Sequence, residues 1–142
     1  MNHEKFMALA LAEAKKGDSR YGAVIVRDNE VVLKAYNTVI RDSDPSAHAE
    51  MNAIRNLTTK NKSSSLAGYT IIYASGEPCL MCAAACIWAG VDEIVIGASI
   101  QDLININQSQ INLSCEQIIA KSSKNIKVTK GILQQESIAL FT

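Results

Sequence analysis

The sequence predicts a three-layer α/β/α fold, a five-stranded mixed sheet sandwiched between helices. Three observations carry the prediction. Runs rich in β-branched and aromatic residues alternate with segments of helical periodicity, the pattern of crossover units. The composition, 48% hydrophobic and 20% charged with only 7 Gly and 2 Pro, is that of a compact domain rather than a disordered chain. A length of 142 residues suits one core, so residues 1–142 are read as a single domain.

The elements follow in order. Phe6, Met7, Leu9, Ala10 and Ala14 recur at helical spacing behind Asn2, a side chain suited to capping, and Gly17 ends the pattern. Tyr21–Val26 and Val31–Tyr36 are strands of a hairpin turning at Asp28-Asn29. A loop, Asn37–Pro45, precedes a helix expected to start near Ser46 as a hydroxyl cap, run through Met51, Ile54 and Leu57, and stop before a polar spacer, Thr58–Ser65. Tyr69–Ala74 is the third strand; Pro78 opens a helix that Gly90 closes. Glu93–Ile96 is the fourth strand. The segment Ala98–Ser114 reads as a loop with helical turns, Cys115–Ser122 as a helix, Ile126–Thr129 as a short strand, and Ile132–Phe141 as a closing helix.

Charge narrows the function. Fourteen basic and fourteen acidic side chains cancel, and no Lys or Arg occurs from Ser63 to Ala120, where Glu77, Asp92, Glu93, Asp102 and Glu116 lie. Such a surface disfavours a polyanionic nucleic-acid partner. Glu4 and Glu13 interrupt the N-terminal segment, which is no secretory signal, and the charge-free stretch Pro78–Val91 is too short to span a bilayer. The expected location is the cytoplasm, with no membrane partner. Four cysteines there point to metal ligands, nucleophiles or core residues rather than disulfides.

Chemistry concentrates in two segments, Pro45-Ser46-Ala47-His48-Ala49-Glu50 and Glu77-Pro78-Cys79-Leu80-Met81-Cys82, each opening a predicted helix. Cys79 and Cys82, three apart, share one face of a first helical turn and can reach one metal. His48 supplies a third ligand. Zinc with three nitrogen or sulfur ligands keeps a fourth position for water, the catalytic arrangement. Glu50 beside that water can take its proton and deliver it to a leaving amine, the step hydrolytic deamination needs. His-x-Glu followed by Pro-Cys-x-x-Cys is the zinc-deaminase pattern, with the Glu not a ligand.

On these motifs and Tyr21-Gly22-Ala23-Val24-Ile25-Val26, the stretch from Phe6 to Ile96 resembles the cytidine deaminase superfamily, in its branch of bacterial guanine deaminases and tRNA adenosine deaminases. The resemblance implies one zinc per chain on His48, Cys79 and Cys82, proton transfer by Glu50, and Asn37, Ala49 and Trp88 against the substrate. Tyr21 before Gly-Ala and Trp88, six residues after Cys82, resemble guanine deaminases most. The activity so implied is conversion of a free aminopurine, guanine first, to its oxo product and ammonia, in a homodimer. Past Ile100 the Gly-Phe-Asp-Asp segment typical of guanine deaminases is absent, with Ile104-Asn105-Ile106-Asn107 in its region, and Gly131-Ile132-Leu133-Gln134-Gln135-Glu136 looks more like the tail of tRNA deaminases.

Two other functions compete. One is tRNA adenosine-to-inosine deamination. The other is a non-catalytic zinc module with Cys86 as fourth ligand, against which stands the reading of Cys86 and Cys115 as small core residues. Glu77 is read as a loop-holding acceptor of backbone donors, Asp102 as a weak candidate pocket acid, His3 as an unpaired surface residue, and Lys121, Lys124, Lys127 and Lys130 as a solvated face.

Overall fold

A computed structural model describes residues 2–142. Its elements are α1 (His3–Ala14), β1 (Gly22–Arg27), β2 (Glu30–Tyr36), α2 (Ala49–Asn61), β3 (Thr70–Gly76), α3 (Leu80–Ala89), β4 (Glu93–Ala98), α4 (Ile100–Asn105), α5 (Cys115–Ala120), β5 (Lys127–Thr129) and α6 (Gln134–Ala139). The strands form one sheet in the order β2-β1-β3-β4-β5. β1 runs antiparallel to both β2 and β3, whereas β3, β4 and β5 are parallel. This is the mixed five-stranded sheet and α/β class that the sequence predicts.

Side-chain alternation along β1 sends its residues to two cores. Ala23 and Ile25 join Ile72, Ile94 and Ile96 beneath α2 and α3, while Val24 and Val26 join Tyr73 and Val95 against Phe6, Met7 and Ala10 of α1. β3 is buried along its whole length, as the middle strand of a two-sided sheet must be. Each such fully buried Ile adds about 1.5–3 kcal/mol of hydrophobic stabilisation. α1 lies so close to β1 that a methyl at Gly22 would strike the Ala10 carbonyl and the Ala14 backbone.

Local chemistry explains most boundaries. Asn2 caps α1 through its side chain on the Lys5 N–H. Asp28 and Asn29 both take positive φ, 52° and 65°, giving the primed turn that matches a hairpin's twist. Gly90 ends α3 at φ 82°, its N–H bonded back to the Cys86 and Ile87 carbonyls.

Five expectations need correction. Ser46 does not cap α2: its hydroxyl donates to Asp44 Oδ1 at 2.7 Å, and the helix starts three residues later with His48 in the capping position. α2 also runs to Asn61 through the supposed spacer, because Leu57 still faces the core. The 98–114 segment contains a true helix, α4, started by a reciprocal capping box between Ser99 and Asp102. His3 is paired, its Nδ1 lying 2.6 Å from the Tyr73 hydroxyl and its Nε2 3.5 Å from Glu93. The closing helix is shorter than expected, Gln134–Ala139. Among the described residues no helix is long and apolar enough to cross a membrane.

Candidate active site

α2 and α3 present their N-terminal ends to one another, so His48 and Cys79, the residues in the two capping positions, meet. Neither side chain caps its own helix. The loop before His48 is strapped down first. Asp18 Oδ2 accepts the Ile40 and Arg41 N–H groups at 3.0 and 2.9 Å, and the Arg41 guanidinium bonds Asp18 and the Lys16 carbonyl. Asn52 Nδ2 then donates to the Tyr36 carbonyl and to Thr38 Oγ1, both at 2.9 Å. These bonds tie the loop between β2 and α2, which leads into His48, to both neighbours.

His48 Nδ1 lies 3.6 Å from Cys79 Sγ and 3.7 Å from Cys82 Sγ, and the two sulfurs are 3.7 Å apart. A tetrahedral zinc with bonds of about 2.3 Å to sulfur and 2.0–2.1 Å to nitrogen has ligand–ligand edges of about 3.8 Å (S–S) and 3.6 Å (N–S). The donor set therefore fits zinc, and these three residues could form a metal site. The Cys82 thiol and His48 pull the Cys79 sulfur down to about 4, a thiolate, while the Cys82 thiol is pushed up by its bond to Cys79. Cys79 in turn raises His48. Backbone N–H groups at both helix N-termini favour that negative charge.

Glu50 is 5% exposed and lines the same cavity of about 490 Å³ as His48, Cys79, Tyr21 and Pro45. Burial, aided by the Cys79 thiolate, raises its carboxyl to about 7. That value suits a group that must both take and give a proton near neutrality.

The other candidates separate. Asn37 is buried at the end of β2, its Oδ1 accepting the Val39 N–H at 3.1 Å; Tyr21 and Val39 line the cavity and Asn37 stands behind them. Ala49 packs into the core beside Ala53 and Ala83, so only its backbone lies toward the helix end. Trp88 is not in this cavity. It is 84% exposed in a separate groove with Ile87, Ile118 and Lys121, because six residues, about one and two-thirds turns, carry it off the Cys82 face.

Glu77 accepts the Ile100 N–H at 2.8 Å and the Cys115 N–H at 2.7 Å, starting both α4 and α5. Asp102 faces Ser99 and Gln134 and is no pocket acid. Cys86 and Cys115 are fully buried in the α2–α3 core, where burial pushes both thiols up, and Cys86 is outside the ligand group. Sequence reasoning missed the loop Gln108-Ser109-Gln110-Ile111, which roofs the cavity. Its signal was faint, a polar stretch between apolar residues with no periodicity to place it.

Residues 1–98 match the cytidine and deoxycytidylate deaminase zinc-binding region. The chain belongs to this deaminase family. As a member it is a zinc-binding deaminase with the fold described above. It is 34% identical over 141 residues to a tRNA-specific adenosine deaminase of Buchnera aphidicola subsp. Baizongia pistaciae, a match covering 96% of this chain and 84% of that one. A guanine deaminase of Bacillus subtilis is 39% identical over 94 residues, 63% of this chain and 60% of that protein. A solved tRNA:A34 deaminase of the wobble position superposes with a TM-score of 0.81 at 28% identity, covering 96% of this chain and 98% of that one. Deaminases of both substrate types are thus among its relatives.

Proposed function

We propose that residues 1–142 form a single zinc-dependent aminohydrolase domain acting on a free amino-heterocycle, guanine first, releasing ammonia. The observation that carries this reading is the cavity itself: Glu50 shares it with two metal-binding side chains, and none of its lining residues is Lys or Arg. A small neutral base needs no cation to hold it, whereas a tRNA backbone does.

Zinc held by His48, Cys79 and Cys82 would supply Lewis acidity that acidifies water. Glu50 does the proton work. It accepts a proton from water as the remaining hydroxide bonds the amidine carbon and passes that proton to the ring nitrogen; it then takes the proton of the newly attached hydroxyl and delivers it to the amine as the carbon–nitrogen bond breaks and the carbonyl forms. Its near-neutral carboxyl makes both directions accessible. The backbone N–H of Ala49, in the first turn of α2 where no intrahelical acceptor exists, faces the same end. Asn37 acts from behind the cavity wall, setting the backbone at Tyr21, whose carbonyl accepts the Asn37 N–H at 3.2 Å.

A second reading, tRNA adenosine deamination, is favoured by the end-to-end match to the Buchnera enzyme. Incubating the zinc-loaded protein with guanine, adenine, cytosine, their nucleosides and tRNA while measuring ammonia separates the two. Release from free bases supports the first reading; release only from tRNA, with steeply salt-dependent binding, replaces it. We further propose a homodimer, supported by the exposed Trp88 and Leu80 on α3 that a second copy would cover. Sedimentation at micromolar concentration tests it, and a monomer there refutes it.

A further inference from the structure

We infer that Tyr21 and Gln110 form a recognition pair for a heterocyclic lactam, a ring carbonyl adjoining a ring N–H. The inference rests on the deaminase reading of the same cavity. Gln110 Nε2 donates to the Tyr21 hydroxyl at 3.0 Å, joining residues 89 apart in sequence. A phenol carries one donor and two acceptor lone pairs. This bond occupies a lone pair and leaves the Tyr21 O–H free to donate elsewhere. The carbonyl oxygen of the Gln110 amide is equally uncommitted to any described residue.

Both side chains line the cavity that holds His48, Glu50 and Cys79. Their orientation is held from behind: the Phe141 ring packs on the Tyr21 ring, centroids 5.1 Å apart and tilted by 52°. Two lining residues of the cavity thus offer one donor and one acceptor side by side. A lactam is their complement, its carbonyl taking the Tyr21 O–H and its N–H bonding the Gln110 oxygen. Free cytosine carries that pair across the ring from the amine that leaves, and free guanine carries it beside that amine, the lactam N–H on the nitrogen bonded to the amine-bearing carbon. The adenosine ring has no carbonyl, and its one N–H donor is the amine that must face Glu50.

The test uses the full-length, zinc-loaded protein and unreactive probes. Hypoxanthine keeps the lactam and has no amine to lose; purine lacks both. Calorimetric titration is expected to show hypoxanthine binding about tenfold or more tighter than purine. Tyr21→Phe keeps the ring on Phe141 and should reduce that preference to about twofold or less. Gln110→Glu, an acceptor only, captures the Tyr21 proton and should abolish the preference as fully. Gln110→Ala should lose part of it. Circular dichroism confirms that each variant is folded. Equal affinity of the wild type for both probes, or a preference unchanged in folded Tyr21→Phe and Gln110→Glu, overturns the inference. Ammonia assays keep the readings apart: turnover without lactam preference sinks the pair alone, and lactam preference without turnover of any base sinks the deaminase reading alone.

Discussion

Two helix corners face each other across the cavity, and each begins with a buried carboxylate, yet the two acids sit in opposite surroundings. Glu77, 3% exposed, has its oxygens filled by the backbone N–H groups of Ile100 and Cys115. Glu50, 5% exposed, has no such pair of donors from distant backbone among the described residues, and burial raises its carboxyl to about 7. A carboxylate saturated by backbone donors organises chain; one that is buried and poorly satisfied keeps a proton to exchange. Burial alone does not separate structural acids from chemical ones. Their donors do.

The comparison breaks most visibly through Glu50→Gln, which should lower kcat by about a thousandfold while metal analysis still finds one zinc per chain. Turnover retained in this variant would remove Glu50 from the chemistry. Glu77→Ala should act on stability instead, costing about 3 kcal/mol and lowering Tm by roughly 10 °C, since two buried N–H groups lose a charged acceptor. Thermal unfolding checks it, and an unchanged Tm would show that α4 and α5 start without Glu77. Asp102→Ala, which loses half a capping box and the 2.7 Å bond from Gln134, should cost about 1–1.5 kcal/mol with kcat/KM unaffected. A fall in kcat there would restore Asp102 as a pocket acid. The smallest effect belongs to Cys86→Ala: about 1 kcal/mol of lost packing and unchanged zinc content, whereas loss of the metal would make Cys86 a ligand after all.

Legibility followed sequence distance. The hairpin, the start of α1 and the end of α3 were readable because Asp28-Asn29, Asn2 and Gly90 act on neighbours a few residues away. The start of α2 is not legible at Ser46 because its hydroxyl has a nearer partner in Asp44. α4 was hidden because its capping box sits in a stretch whose Asn and Gln residues mask periodicity. His3 looked solitary because both of its partners, Tyr73 and Glu93, arrive from other strands of the sheet.

For the site, the sequence by itself pairs Cys79 with Cys82 within one turn and sets His48 and Glu50 together at another helix start; the packing of α2 against α3 brings His48 to the two cysteines. Tertiary structure alone decided what surrounds them. The partners of Glu77 lie 23 and 38 residues ahead, that of Tyr21 lies 89 residues ahead, and the roof of the cavity comes from a loop with no pattern of its own. Only the folded helix turned Trp88 outward, off the Cys82 face. The physical reason is range. Metal ligation within a turn is a local constraint written in spacing, whereas saturation of a carboxylate, the aim of a phenol and the burial of an aromatic depend on which distant segments the packed sheet brings alongside.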